Sequence, residues 1–440
     1  MKESWRRLST GHAAICSAIL AIASATATEA QERSDSNALP KPSGSFSIGR
    51  TTYHWIDSSR AETLIAGAPQ RREVLVDVWY PAVAGTAAPA TYLAHLSILR
   101  QTVGEDSMRR RFAPAYPAIE RGRLFTHARE GAPVRCPDRG CPVLLFSHGL
   151  GIDRAYYTAQ YEDLASHGYV VAAIAHPYLI NGLVFPDGRL VGLARRSPNP
   201  PPDTTIPLWR RQIEDGRVYL RSVSGVMAGD MRFVLDRLIA LARDSSTPLF
   251  RQLDLSRVGA LGHSLGGQSA AHACQLDRRI RACLNQDGLN TNLPFQRDAN
   301  GRTMDQPFMF IGRALAPTVR APDSVLAVRQ MTRAEEDSLA RVRPAEQDAL
   351  LRDVGGGSWR VRLNTPEISH LSFTDMPILQ AIGDTTRTNN ALLAMQLTRG
   401  YVRAFFDKLL RRDASTILDR PRADGIAFVS VESFSGKRSP

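Results

Sequence analysis

Residues 259–267 read GALGHSLGG and carry the pattern G-x-S-x-G around Ser264. A short apolar run ending at Leu261 predicts a buried strand, and a helix is predicted to begin directly after the serine. Such a strand–turn–helix holds the serine in a strained backbone conformation, and the flanking glycines leave room for strand and helix. The helix N-terminus favours developing negative charge. This setting predicts that Ser264 is an exposed nucleophile.

Strands and helices alternate along much of the chain. The predicted strands are 74–80, 143–146, 169–175, 258–261, 282–285, 307–312 and 359–363, and the predicted helices are 156–167, 215–243 and 389–411. The strands are almost continuously apolar, which is typical of a mainly parallel sheet covered on both faces. We therefore predict an α/β-hydrolase fold.

The predicted domain organisation follows from the same pattern. One catalytic domain is expected over 46–415, with a C-terminal tail at 416–440. A proline-rich stretch, 178–214, is expected to form a lid or entrance loop, and 322–354 reads as an inserted pair of short helices. These two insertions are expected to shape the substrate pockets.

A serine nucleophile needs a base, and the order along the chain in this fold is Ser, acid, His. His370 is the one histidine beyond His272, and His272 falls within the helix that follows the nucleophile, pointing away from it. His370 follows the strand 359–363, at the carboxyl end of the sheet, where ligands bind and catalytic residues lie in open α/β folds. We predict that His370 is the base.

The acid that orients the base is less determined by the sequence. Asp287 follows the strand 282–285 and is followed by Gly288, which places it at the loop edge beside the nucleophile. Asp323 and Asp375 stay open as alternatives. A carboxylate in this position fixes the histidine tautomer and stabilises the imidazolium.

Two backbone N–H groups are expected to form an oxyanion hole. One belongs to Leu265, directly after the nucleophile, and the other to Leu150 in the loop HGLG at 148–151. Preorganised donors of this kind stabilise the charge on a tetrahedral intermediate. The residues together predict a serine ester hydrolase that forms an acyl-enzyme, and no cofactor is expected.

The N-terminus has the features of a secretory signal peptide at 1–30: a positive start, an apolar stretch at 13–23 and two A-x-A-type cleavage sites. We expect a periplasmic or secreted protein with a flexible leader at 31–45. In an oxidising compartment Cys136 and Cys141 are expected to pair, and Cys274 with Cys283 is a weaker pairing. Zinc binding by Cys136 and Cys141 is the alternative, but the sequence has no second close Cys/His pair at ligand spacing to complete such a site.

The formal net charge of +12 raises the question of nucleic-acid binding. Only four of the 55 basic residues are lysines, and the arginines are spread along the chain without a basic block. No nucleic-acid partner is therefore expected. Weak attraction to anionic membrane surfaces stays open, and the oligomeric state is not predicted.

Several stretches resemble one known family. They are VWYP at 78–81, LFSHGLG at 145–151, DLASHGY at 163–169, GHSLGG at 262–267, the strand ending at Asp287, and SHLSFTD at 369–375. The chain resembles, over about 45–410, the plasma-type platelet-activating factor acetylhydrolases and their bacterial relatives among dienelactone-hydrolase-like proteins. The resemblance implies that the acid is Asp287. It also implies metal-independent hydrolysis of short acyl esters, including short sn-2 acyl phospholipids.

Three other functions stay open at this stage. A polyester or lipid hydrolase would use the same three residues in an open groove. A peptidase of this fold usually carries a large extra domain, and no propeller-like repeat occurs in the sequence. A non-catalytic binding protein on a hydrolase scaffold would not need Ser264, Asp287 and His370 together.

Overall fold

The computed structural model describes residues 39–67, 70–93, 95–112, 115–120, 124–194, 205–288, 304–314, 320–414, 417–419 and 428–436. The predicted signal peptide lies outside these residues. No helix among them is long and apolar enough to cross a membrane.

The described residues form strands and helices that follow one another along the chain. The strands are β1 (Ser47–Ala61), β2 (Arg71–Ala82), β3 (Pro89–Thr91), β4 (Phe125–Glu130), β5 (Cys141–Ser147), β6 (Val170–Ala175), β7 (Leu183–Val184), β8 (Leu190–Val191), β9 (Leu253–His263), β10 (Ile280–Gln286), β11 (Phe308–Arg313), β12 (Ser358–Leu363) and β13 (Val429–Phe434). The helices are α1 (Leu96–Val103), α2 (Glu105–Phe112), α3 (Tyr116–Glu120), α4 (Thr158–Ser166), α5 (Leu208–Arg243), α6 (Leu265–Leu276), α7 (Asp323–Arg329), α8 (Arg333–Arg352), α9 (Met376–Gln380) and α10 (Thr385–Phe406).

Within the described residues, eleven strands form one sheet in the order β13-β12-β11-β10-β9-β5-β6-β2-β1-β4-β3. The six strands from β12 to β6 run parallel, and β13 and β2 flank them antiparallel. Every residue of β5 and β6 is buried, because helices cover both faces. The predicted α/β class with a mainly parallel sheet is confirmed.

The two faces of the sheet have separate apolar cores. Side chains of α5 and α6, among them Met231 and Ala270, pack with Val143 of β5 on one face. Side chains of α4 and α10, among them Tyr161 and Phe405, pack on the other. The active-site elements leave the sheet between these two layers, at the carboxyl ends of the parallel strands.

The structure departs from the predicted boundaries at both ends of the domain. Ser43, in the predicted flexible leader, donates from its backbone N–H and its hydroxyl to Asp163, at 2.9 and 2.8 Å. The predicted tail contains β13, which pairs antiparallel with β12. In β13 only Val431 is buried, so ladder hydrogen bonds rather than an apolar pattern hold this edge strand.

The two predicted insertions contain regular structure. Residues 178–214 contribute the short β7–β8 hairpin and the first residues of α5, which begins earlier than predicted; 195–204 lie outside the described residues. The insertion 322–354 holds α7 and α8. Helix α8 is longer than expected because a capping box between Thr332 and Glu335 starts it and Pro344 does not end it.

Two disulfides link residues close in the sequence. One joins Cys136 to Cys141, next to the start of β5, and the other joins Cys274 of α6 to Cys283 of β10. These are the pairs that the cysteine spacing suggests.

Candidate active site

Ser264 lies between β9 and α6 in a strained conformation, with φ 55° and ψ −122°. The two glycines of the pattern, Gly262 and Gly266, have no room for a side chain. A Cβ at Gly266 would overlap the carbonyl oxygen of Ser147, and one at Gly262 would overlap the backbone of Gly266. The glycines therefore let the turn pack against the end of β5, and the turn presents the partly exposed serine at the sheet's carboxyl edge.

Ser264, His370 and Asp287 form one hydrogen-bonded series. The Oγ of Ser264 lies 2.9 Å from Nε2 of His370, and Nδ1 of His370 lies 2.7 Å from Oδ2 of Asp287. Because an ionised carboxylate only accepts, Nδ1–H donates to Asp287 and Nε2 is left to accept from the serine hydroxyl. The structure thus brings together the three residues that the sequence singles out.

Asp287 is held as a carboxylate. Burial works to raise its pKa, but the hydrogen bond from His370 and the charge of Arg313 outweigh burial and hold the pKa below its ordinary value. The guanidinium of Arg313 donates at 2.8 Å and its backbone N–H at 3.2 Å. The sequence offered no reason to select Arg313, because its role depends on β10 and β11 being neighbours in the sheet.

The two alternative acids lie elsewhere. Asp323 is exposed at the start of α7 and forms an ion pair with Arg333. Asp375 is fully buried, accepts from the hydroxyl of Tyr92 at 3.1 Å and from the backbone of Ala159, and has a pKa raised well above the ordinary value by burial. Neither carboxyl contacts the imidazole of His370.

The loop HGLG runs beside the nucleophile. A Cβ at Gly149 would lie 3.3 Å from the Cβ of Ser264. The N–H of Gly149 donates to Tyr157 at 3.1 Å. The N–H groups of Leu150 and Leu265 donate to no acceptor in the part of the chain that the structure describes. Both residues predicted for an oxyanion hole therefore have a backbone N–H that is unpaired among the described residues.

A buried side-chain network connects this loop to the histidine. The hydroxyl of Tyr157 accepts from Gly149 and lies 2.9 Å from Nδ1 of His263, whose Nε2 lies 2.9 Å from the carbonyl oxygen of His370. Burial, followed by the charge of His370, lowers the pKa of His263 to about 3, so its ring is neutral. Since Nε2–H must donate to the carbonyl, Nδ1 accepts from Tyr157.

We expect Tyr157→Phe to impair activity, because it leaves the Gly149 N–H and the His263 Nδ1 without their partner. The free energy of unfolding should fall by about 1–3 kcal/mol. The turnover number should fall about tenfold as the loop loses its position. Ester hydrolysis and thermal unfolding measure the two effects.

Tyr161→Phe is the matched control. Tyr161 is also fully buried, in the first turn of α4 just after Tyr157, and its hydroxyl has no hydrogen-bond partner among the described residues. This variant should keep wild-type turnover and stability. Equal effects of the two substitutions would contradict the positioning role of Tyr157.

The fold, with its strand–turn–helix around Ser264, defines the chain as an α/β hydrolase. A family model described as platelet-activating factor acetylhydrolase, isoform II, matches residues 32–178, which include the HGLG loop and end before Ser264. The chain is therefore similar to the platelet-activating factor acetylhydrolases over these residues, and the resemblance seen in the sequence is confirmed.

Two named proteins are also similar in sequence to this chain. A platelet-activating factor acetylhydrolase of Canis lupus familiaris is 25% identical over 62% of this chain and 59% of its own length. A probable 1-alkyl-2-acetylglycerophosphocholine esterase of Arthroderma benhamiae is 26% identical over 62% of this chain and 64% of its own length. The matches thus span about three fifths of these relatives.

A solved structure is similar over nearly the whole fold. The ferulic acid esterase of Streptomyces cinnamoneus has a TM-score of 0.63 and 26% sequence identity, and the match covers 90% of this chain and 98% of that one. The similarity supports the α/β-hydrolase fold over most of the chain.

Proposed function

We propose that this protein is a serine ester hydrolase that cleaves short-chain acyl esters, with Ser264 as nucleophile, His370 as general base and Asp287 as the acid that orients it. The observation that carries the proposal is the continuous series of hydrogen bonds from Asp287 through His370 to Ser264. The strained serine also supports the proposal, as do the N–H groups of Leu150 and Leu265, which have no acceptor among the described residues.

The geometry supports a two-step reaction. Ser264 Oγ attacks the ester carbonyl while its proton moves to Nε2 of His370, and Asp287 stabilises the imidazolium. The N–H groups of Leu150 and Leu265 hold the negative oxygen. His370 then gives the proton to the leaving alcohol, which leaves an acyl group on Ser264. In the second step water gives a proton to His370 and its oxygen attacks the acyl carbonyl. The bond to Ser264 Oγ then breaks, Oγ takes the proton back from His370, and the acid leaves.

The substrate class is proposed from the relatives' names. Two of them are named for acetyl esters of a glycerophospholipid and one for a ferulic ester. A short acyl group is common to the first two, so we infer a short acyl pocket, with short sn-2 acyl phospholipids such as platelet-activating factor as candidate substrates. Residues 1–30 have the features of a signal peptide, and disulfides form in oxidising compartments. Both features support the proposal that the protein is exported to the periplasm or the medium.

The proposal is tested with p-nitrophenyl acetate, butyrate, octanoate and palmitate, together with a short sn-2 acyl phospholipid and methyl ferulate. We expect kcat/KM to be largest for acetate or butyrate and to fall steeply for palmitate. A preference for palmitate would contradict the short acyl pocket and favour a lipid hydrolase. Turnover of methyl ferulate alone would favour the activity named for the structural relative.

A further inference from the structure

A second Ser–His–Asp series lies beneath the candidate active site. The Oγ of Ser147 lies 2.9 Å from Nε2 of His176, and Nδ1 of His176 lies 2.8 Å from Oδ2 of Asp230. All three residues are 0% exposed, so no ester can reach the serine. The arrangement therefore cannot be a second hydrolytic site, and its role must be exerted through the residues that it contacts.

The protonation of this series is fixed by its surroundings. Burial works to raise the pKa of Asp230, but the charge of Arg72 and the hydrogen bond from His176 hold it below the ordinary value. Arg72 donates to this carboxylate at 2.6 Å and Arg60 at 2.8 Å. Burial lowers the pKa of His176. The neutral ring gives Nδ1–H to Asp230, so the hydroxyl of Ser147 donates to Nε2.

His176 holds the loop HGLG at two points. Its side chain binds Ser147, the last residue of β5 before the loop, and its backbone N–H donates to Nε2 of His148 at 3.1 Å. Nδ1 of His148 in turn lies 2.8 Å from the carbonyl oxygen of Gly149. Arg72 donates to the carbonyl oxygen of Pro177 at 3.2 Å and so holds the backbone beside His176.

Ser147 also contacts the other half of the site. Its carbonyl oxygen lies so close to Gly266 that a Cβ there would overlap it. Gly266 is the second residue of α6, directly after Leu265. The position of Ser147 therefore sets the separation between the loop that carries the Leu150 N–H and the helix start that carries the Leu265 N–H.

We propose that Ser147, His176 and Asp230 are positioning residues that set the geometry of the oxyanion hole. The inference rests on the proposed ester hydrolysis. The donors meet charge that develops in the transition state and not in the neutral ester. Displacement of the two N–H donors of the oxyanion hole should consequently lower kcat and leave KM nearly unchanged.

Ser147→Ala tests the role with the smallest change, since it removes one hydroxyl and leaves Nε2 of His176 without a donor. Ser358→Ala is the matched control. Ser358 is a buried serine at the start of β12. It therefore lies at the amino ends of the parallel strands, whereas Ser147 lies at their carboxyl ends, and the Ser358 hydroxyl donates to the carbonyl oxygen of Leu351 at 2.6 Å. Both variants lose one buried hydrogen bond, but only the first one touches the loop.

Two rates are measured on the full chain at a temperature where circular dichroism shows folded protein: hydrolysis of p-nitrophenyl acetate and phosphonylation by a fluorophosphonate. For Ser147→Ala we expect kcat and the phosphonylation rate to fall about 10- to 100-fold, at nearly constant KM. Ser358→Ala should match wild type in both rates. Should Ser147→Ala not fold, Ser147→Cys keeps a weak donor and should show a smaller loss of kcat.

Wild-type rates in folded Ser147→Ala or Ser147→Cys, or equal losses in Ser358→Ala, would overturn the positioning role alone. A wild type that hydrolyses no ester and takes up no phosphonate would contradict the proposed function, and this inference with it. The two failures are therefore distinguishable in the same experiment.

Discussion

Ser264→Ala is expected to abolish nearly all ester hydrolysis. The substitution removes the hydroxyl oxygen that we propose as the nucleophile, while its partner His370 and the proposed oxyanion donors Leu150 and Leu265 are not changed. By comparison with other serine hydrolases, kcat should fall by about 10⁶-fold, with a small residual rate from binding and the oxyanion donors. The measurement is p-nitrophenyl acetate turnover at high enzyme concentration.

Folding of this variant is expected to be unimpaired. Ser264 has φ 55°, in the left-handed region where a side chain is strained, and alanine keeps the same strain without adding bulk. A matched thermal unfolding curve therefore shows that lost activity comes from lost chemistry. Retention of more than about one hundredth of the wild-type kcat would contradict the assignment of the nucleophile.

Asp287→Asn is expected to have the second largest effect, a loss of about 10⁴-fold in kcat. The carboxylate accepts from Nδ1–H of His370 and so leaves Nε2 free to take the serine proton. An amide can instead donate to Nδ1, which stabilises the tautomer with Nε2 protonated. That tautomer cannot act as a base toward Ser264. Turnover of p-nitrophenyl acetate measures the effect.

Asp323→Asn provides the comparison for this prediction. Asp323 was an open alternative for the acid, and the structure places it exposed at the start of α7, paired with Arg333. The same chemical change there should leave kcat within about twofold of wild type, because surface ion pairs contribute little. If Asp323→Asn lost activity and Asp287→Asn kept it, the acid would have to be reassigned.

The parts of the molecule that could be predicted are those that local pattern determines. The turn around Ser264 needs small residues on both sides of the serine, and this leaves a signature within nine residues, 259–267. Buried parallel strands such as β5 and β6 are almost continuously apolar and are therefore recognisable from the sequence. Chain order then limited the choice of the base to His370.

What could not be predicted depends on pairings between distant residues. Strand β1 is mostly half-buried or exposed, without a regular alternation, and contains many polar residues, so it is defined by its pairing with β2. Tyr157 contacts His263, 106 positions away, and nothing in its helix indicates that contact. His176 and Asp230 likewise come together only when β6 and α5 pack.

The most direct test of the central claim is to find which residue becomes covalently modified. The full chain is treated with a fluorophosphonate and digested, and the labelled peptide is sequenced by mass spectrometry, with Ser264→Ala in parallel. We predict one adduct per chain, on Ser264, and none in the variant. An adduct on another residue, or equal labelling of the variant, would contradict Ser264 as the nucleophile activated by His370 and Asp287.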